Sequence, residues 1–184
     1  IKADWLSFWK IRANYAEVGG TAAVYSLINT YTAAGVFNNG ESGVGLYNSV
    51  TTNNNNQLKP QRSKEFEVGT EVHFLKDRIT LDLAYYKTKT IDQIIALPVS
   101  SGTGFTTQYI NAGQIDNKGY EVSLGLVPFK TPNFTWNIDV NWSKNENKVV
   151  SLSGDSKNYL LASFQGGVSM NARIGEAWGT LIGS

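Results

Sequence analysis

The sequence contains no cysteine among its 184 residues, and His73 is its only histidine. The lack of cysteine excludes a disulfide framework, a thiolate metal site and a cysteine nucleophile. A catalytic or ligand role for His73 would need a partner group within hydrogen-bond reach. We therefore predict no catalytic residue, no metal site, no cofactor and no enzyme activity.

Long apolar runs are also lacking. No stretch approaches the roughly 18 apolar residues that a membrane helix needs, and no charged segment followed by an apolar one marks a signal peptide at the start. The net charge of +1 argues against a nucleic-acid-binding domain, which needs a clustered excess of Lys and Arg. The chain begins at Ile1 without methionine and ends in a glycine-containing phrase, so we expect it to be a segment of a longer protein.

Aromatic residues and glycine are abundant, while charge is scarce. Aromatics make up 12% of the chain, glycine occurs 18 times, and charged residues reach only 17%, below the roughly 25% of soluble domains. Mean hydropathy is nevertheless −0.23. A protein whose strands alternate apolar and polar residues would show both properties together.

Apolar and polar residues alternate with period two along several segments, as expected of half-buried strands. In residues 65–74, Phe66, Val68, Val72 and Phe74 fall on one face. The predicted strands cover residues 9–15, 65–74, 79–87, 120–126 and 134–142. With further strands expected in the remainder, the sequence predicts an antiparallel all-β structure of roughly six to eight strands.

The predicted connections differ in length. Residues 75–78 and 127–133 form short turns, whereas residues 19–63 and 88–118 are long and polar. Aromatic residues flank the apolar face at both ends. Short turns at one end, long loops at the other and two aromatic girdles are typical of a transmembrane β-barrel. The alternative from the pattern alone is a soluble β-sandwich, such as a carbohydrate-binding module.

Two stretches carry a resemblance to a known family, 63–69 and 110–121. The second contains Asn111-Ala112-Gly113, then Ile115, Asn117-Lys118-Gly119 and Glu121. They resemble the barrel of SusC/RagA-type TonB-linked outer-membrane transporters of Bacteroidetes. Near its end the chain has Leu181-Ile182-Gly183-Ser184, where the family more often has an aromatic pair before Gly-Tyr.

The resemblance implies that residues 1–184 form part of a 22-stranded barrel, without the plug domain and the C-terminal strands. It implies location in the cell outer membrane and import of an oligosaccharide or peptide ligand. The implied partners are a SusD-like surface lipoprotein, TonB acting through the absent plug, and outer-membrane lipid. An adhesin or scaffold barrel is a further possibility.

Candidate functional residues fall into two groups. Polar residues alternating with the apolar ones are expected to face the lumen, with His73 among the lumen-lining side chains; the candidates are Lys10, Arg12, Asn14, Glu67, Glu71, Asp82, Glu121, Asn137, Asp139 and Asn141. Aromatic residues of the long loops are candidates for ligand or lid contact, namely Tyr31, Phe37, Phe105 and Tyr109.

The carboxylates of the lumen-facing group are expected to pack against a plug rather than to hydrolyse glycosides. Residues 53–56 are predicted to be a solvated asparagine-rich loop tip.

Overall fold

The computed structural model describes residues 5–38, 40 and 43–183, whose regular secondary structure consists of β-strands with one exception. One 3-10 turn, Ser101–Thr103, is the exception. No helix among these residues has the length and apolar character to cross a membrane. The strands are β1 Leu6–Gly20, β2 Thr32–Asn38, β3 Gly43–Asn48, β4 Thr52–Asn53, β5 Gln61–Phe74, β6 Ile79–Ile91, β7 Ile94–Pro98, β8 Thr107–Asn111, β9 Gln114–Lys130, β10 Thr135–Ser151, β11 Asn158–Ser163, β12 Val168–Arg173 and β13 Thr180–Gly183.

The chain divides into two compact units. One, the sheet unit, comprises the described part of residues 1–18 together with Ser63–Thr90 and Ile115–Lys148. The other, the core unit, comprises the described residues of Gly19–Arg62, Ile91–Gln114 and Val149–Ser184.

The sheet unit is built on one five-stranded sheet with the order β1-β5-β6-β9-β10. All five strands predicted from the alternation are present in this sheet, and each is longer than its predicted range. The chain was expected to supply roughly six to eight strands, whereas the described residues form thirteen, eight of which belong to smaller sheets. Hydrogen bonds from Leu75 N to Trp5 O and from Val127 N to Arg78 O place the short turns at one end of this sheet.

The turn between β5 and β6 has an uncommon backbone. Leu75, Lys76 and Asp77 have φ angles of 53°, 57° and 64°, the left-handed region that side chains with a Cβ seldom adopt. The turn is held from outside by β1. Ser7 Oγ accepts hydrogen bonds from the backbone N–H groups of Lys76 at 2.8 Å and Asp77 at 3.3 Å.

The core unit holds three small sheets with the orders β2-β3, β4-β8-β7 and β11-β12-β13. Its buried hydrophobic cluster consists of Ala112, Val149, Leu152, Tyr159 and Ala172. The hydroxyl of Tyr159 donates to Ser153 O at 2.8 Å, which satisfies its polar end. Burial raises the pKa of Tyr159, so the ring stays neutral at ordinary pH.

Two sequence predictions about the long connections were incomplete. The segment from 19 to 63 carries β2, β3 and β4, and the segment from 88 to 118 carries β7 and β8. These strands have only two to seven residues each, too few for their alternation to register as a pattern. The asparagine run was predicted to be a solvated tip. Asn56 is exposed, but Asn53, Asn54 and Asn55 are half-buried, and Asn54 and Asn55 donate hydrogen bonds to backbone carbonyls of other segments.

Candidate functional site: two sheet faces and an amide-lined cavity

On the polar face of the sheet, Arg12 joins three neighbouring strands. Its two terminal nitrogens donate to the two carboxylate oxygens of Asp82 at 2.9 and 2.7 Å. Its Nε lies 3.5 Å from Glu67 Oε1. The guanidinium extends over Gly69, where a Cβ would lie 2.7 Å from Arg12 Cζ. Glycine is therefore required at position 69 for this arrangement.

A second polar group surrounds His73. Glu71 Oε1 lies 3.0 Å from Nε2, and Asp77 Oδ1 lies 3.0 Å from Nδ1. The ring of Phe8 packs against the imidazole with 5.0 Å between centroids. The imidazole is thus held by a carboxylate on each nitrogen. Glu71 lies two residues before His73 on β5, whereas Asp77 belongs to the turn that follows this strand.

Four of the predicted lumen residues meet around one shallow depression of about 310 Å³ on this face, namely Glu71, Asp82, Asp139 and Asn141. His73 and Thr80 also border it. Arg12 and Glu67 join this set through Asp82. Lys10, Asn14 and Asn137 are exposed but do not line the depression. Glu121 likewise does not line the depression.

The polar face offers groups for hydrogen bonding and ion pairing. Both oxygens of Asp82 accept from Arg12, so this carboxylate is not poised as the proton donor that glycoside hydrolysis requires. Among the described residues, no group of three or more acidic or imidazole side chains could hold a metal ion.

The opposite face is apolar and largely uncovered. Trp9, Ile11 and Trp142 expose 58%, 62% and 53% of their surfaces. Near the short turns, Trp5 stacks on Phe74 and Phe129 stacks on Trp136, with centroids 5.8 and 6.1 Å apart. Towards the other end of the strands, the rings of Tyr85 and Tyr120 pack with centroids 5.0 Å apart. An exposed apolar surface of this kind marks a contact with a membrane or another protein.

The core unit contains an open cavity of about 500 Å³ lined mainly by amides. Its walls are Leu27, Ile28, Asn29, Asn53, Asn54, Asn55, Asn56, Gln57 and Gln108. Several amides build the wall itself: Asn54 Nδ2 donates to the carbonyls of Tyr25 and Ile28 at 3.1 and 2.8 Å. The cavity could not be predicted from the sequence, because a run of asparagines is equally typical of a solvated loop.

The four loop aromatics do not converge on this cavity. Tyr31 precedes β2 and is exposed, and Phe37 lies in β2 opposite Val44. Phe105 follows the 3-10 turn and is half-buried. Tyr109 lies in β8, and its backbone carbonyl accepts from Asn55 Nδ2 at 3.3 Å. None of the four lines the amide cavity.

A sheet with one polar and one apolar face and short turns at one end defines a segment of an outer-membrane β-barrel. Residues 3–180 match the family described as "TonB dependent receptor-like, beta-barrel". The chain belongs to this family, and its resemblance to the SusC/RagA type is confirmed. Its location is the outer membrane. The all-β barrel prediction is confirmed, and the β-sandwich alternative is set aside.

Two curated relatives show how much of a whole protein the chain represents. TonB-dependent receptor P3 of Formosa agariphila is 31% identical over 98% of this chain and 18% of the relative. TonB-dependent receptor SusC of Bacteroides thetaiotaomicron is 33% identical over 59% of this chain and 11% of the relative. The chain therefore spans less than a fifth of the length of these relatives.

Solved structures agree on the fold. The RagAB peptide transporter superposes with a TM-score of 0.78 at 21% identity, covering 95% of this chain and 18% of that one. A RagAB peptide importer in an "open-open" state superposes with a TM-score of 0.71 at the same identity. At this level of identity the match establishes the barrel fold of the chain.

Proposed function

We propose that the chain forms part of the wall of an outer-membrane transporter that imports oligosaccharides or peptides. In this proposal the apolar face of the sheet contacts lipid and the polar face lines the lumen. The separation of the two faces supports it most directly, since Trp9 and Ile11 alternate along β1 with Lys10 and Arg12. The proposal assigns no bond-making step to any residue.

Strand dimensions support the lipid assignment. On β5 the apolar face runs from Phe66 to Phe74, which is nine residues, and about 9–11 residues of a tilted strand cross a bilayer. Aromatic pairs stand near both ends of this band. The paired charges around Arg12 lie on the other face, where water or a plug can solvate them.

Unlike the carboxylate-lined depression on the sheet, the cavity of the core unit presents uncharged amides. Amide N–H and C=O groups can pair with sugar hydroxyls or with peptide groups, but they give no charge preference. A neutral, multiply hydrogen-bonding ligand therefore suits the cavity, and both ligand classes meet that description. We include a SusD-like lipoprotein lid and TonB, acting through a plug, as the partners of the whole protein.

Cysteine accessibility in the full-length protein tests the assignment of the faces. In a cysteine-free background, Ser123→Cys and Val122→Cys would be labelled in intact outer membranes with a small water-soluble maleimide. We expect Ser123→Cys to react and Val122→Cys to be protected until the membrane is solubilised and the protein unfolded. The reverse order of labelling would overturn the proposal.

The growth of a deletion strain tests the proposed import of oligosaccharides or peptides. A strain lacking the full-length gene is expected to lose growth on either oligosaccharides or peptides as sole carbon source, and the wild-type gene should restore it. Unchanged growth and uptake on both classes would contradict the proposed cargo.

A further inference from the structure

Lysines are concentrated on one part of the apolar face, beyond the tyrosines and away from the short turns. We call this group the lysine belt; it consists of Lys64, Lys87, Lys89, Lys118, Lys144 and Lys148. All six lie in the sheet unit. Lys87, Lys89, Lys118, Lys144 and Lys148 are exposed, and Lys64 is half-buried.

Contacts made by neighbouring residues fix the face of these lysines. Thr88 Oγ1 donates to Glu65 Oε2 at 3.0 Å, and Asn145 Nδ2 donates to Tyr86 Oη at 3.0 Å. These bonds lie on the polar side of the sheet. Because successive side chains of a strand point to opposite faces, Lys87 and Lys144 belong to the apolar side.

The register brings lysines opposite one another. Tyr85 packs on Tyr120, and Tyr86 contacts the backbone of Gly119, so the next pair on the apolar face is Lys87 with Lys118. In the neighbouring pair of strands, Ser63 bonds Thr90 at 2.9 Å and Glu65 bonds Thr88, which sets Lys64 opposite Lys89. Like charges directly across a strand pair destabilise a sheet.

Carboxylates on the same face compensate only part of this charge. Lys64 Nζ lies 3.2 Å from Glu17, and Glu146 is shared by Lys118 at 3.3 Å and Lys144 at 2.9 Å. With Asp116, three carboxylates face six lysines, an excess of three positive charges. Within the described residues, Lys87 has no carboxylate within ion-pair distance.

The position of the lysine belt along the strands indicates which part of the membrane its positive charges contact. Lys118 is two residues beyond Tyr120 along β9, about 7 Å at the rise of a strand. Aromatic girdles lie at the membrane–water boundary, and short turns lie on the periplasmic side. The belt therefore lies at headgroup depth in the outer leaflet, where lysine ammonium groups can extend to anionic groups while their stems cover apolar surface.

We propose that the lysine belt binds the phosphate groups of a phosphorylated glycolipid of the outer leaflet. This inference rests on the proposed assignment of the apolar face to lipid. Ammonium groups bind phosphate through charge-assisted hydrogen bonds. A phosphate at Lys87 and Lys118 would neutralise Lys87, which has no carboxylate partner among the described residues, and would reduce its repulsion with Lys118, which shares Glu146 with Lys144.

The test uses the full-length protein purified in a mild detergent, with a bis-phosphorylated lipid A added as the probe. Binding is measured by native mass spectrometry for wild type and for the double variant Lys87→Gln/Lys118→Gln. A double variant with the same change of charge, Lys76→Gln/Lys130→Gln at the short-turn end, is the matched control. We expect about a tenfold loss of lipid occupancy for the belt variant, none for the control, and recovery with Lys87→Arg/Lys118→Arg.

Equal occupancy in wild type and belt variant would overturn the inference. So would full displacement of the lipid by millimolar inorganic phosphate, which would show a site for free phosphate. Maleimide labelling of the Val122→Cys variant in intact outer membranes separates the two proposals. If the thiol of Val122→Cys is protected and the belt variant binds lipid A as wild type does, the lysine-belt inference alone is rejected. If the thiol is labelled in the membrane, the face assignment on which the lysine belt rests is rejected.

Discussion

The two units of the chain differ in how far their apolar side chains are buried. In the core unit, Ala112, Val149 and Ala172 are fully buried. In the sheet unit, Trp9 and Trp142 leave more than half of their surfaces uncovered. The buried hydrophobic cluster lies entirely in the core unit among the described residues. Among the described residues, full burial of apolar side chains is thus confined to the core unit, although that unit also exposes Tyr25 and Tyr47, whereas the apolar face of the sheet unit is largely uncovered.

With the proposed face assignment, the sheet unit contacts lipid while the core unit contacts water. The hydrophobic effect stabilises the core unit as it does any soluble fold. In the sheet unit, backbone hydrogen bonds between strands satisfy the polar groups, which is the condition that lipid imposes. Substitutions in the full-length protein should therefore have effects that depend on the unit in which they fall.

The largest effect is expected from charge on the apolar face of the sheet. Val122→Arg combined with Val140→Arg should prevent assembly, because an arginine near the bilayer midplane costs about 2–4 kcal/mol. Heat-modifiability on gels and the amount of protein in the outer membrane measure the effect. The matched pair Ser123→Arg and Asn141→Arg on the polar face should still assemble, and normal insertion of the Val122/Val140 variant would contradict the assignment.

A smaller effect is expected from a cavity in the core unit. Leu152→Ala should destabilise that unit by about 2–3 kcal/mol, because Leu152 packs in its buried cluster. The barrel should still assemble, while limited proteolysis should cut within Val149–Ser184 sooner. Leu181→Ala, at a position 64% exposed, serves as the control. Loss of heat-modifiability in Leu152→Ala would show that the two units do not respond separately.

The amide-lined cavity should depend on Asn54. Asn54→Ala removes the hydrogen bonds to the carbonyls of Tyr25 and Ile28, a loss of about 1–2 kcal/mol for two bonds. Hydrogen exchange measured by mass spectrometry should rise around residues 25–28 and leave the strands of the sheet unchanged. Asn48→Ala in β3, outside the cavity wall, should leave that exchange rate at the wild-type value.

The smallest effect is expected from the ion pairs on the polar face. Arg12→Gln should cost about 0.5–1 kcal/mol, since Arg12 and Asp82 are partly open to solvent, with 29% and 38% of their side chains exposed. Unfolding in urea, followed by tryptophan fluorescence, measures the shift, and Lys10→Gln on the same strand is the control. A loss above about 3 kcal/mol would mean that the pair is buried in the assembled protein.

Strands of the sheet unit could be predicted from sequence because one face is apolar throughout. Alternation in β5 and β10 gave both the strands and the partition of residues between faces. The contact between Arg12 and Asp82 could not be predicted in this way, since it depends on the order β1-β5-β6. Alternation assigns a residue to a face but does not say which strand is its neighbour.

The core unit was harder to predict for a physical reason. Its strands β2, β3, β7 and β8 have five to seven residues each, too few for a periodicity to emerge. Tyr159 and Val149 come together through contacts between distant segments. The amide cavity likewise combines Asn29, Asn54 and Gln108 from three separate stretches, and no local motif marks such a combination.

The turn between β5 and β6 has a consequence for the order of folding. Three successive left-handed residues each cost about 1–2 kcal/mol, so Leu75–Asp77 is a poor nucleus for its own hairpin. The N–H groups of Lys76 and Asp77 donate to Ser7 Oγ, which lies on another strand. The turn thus reaches its final conformation only once β1 lies beside β5, and three strands rather than two form the smallest self-consistent unit of assembly.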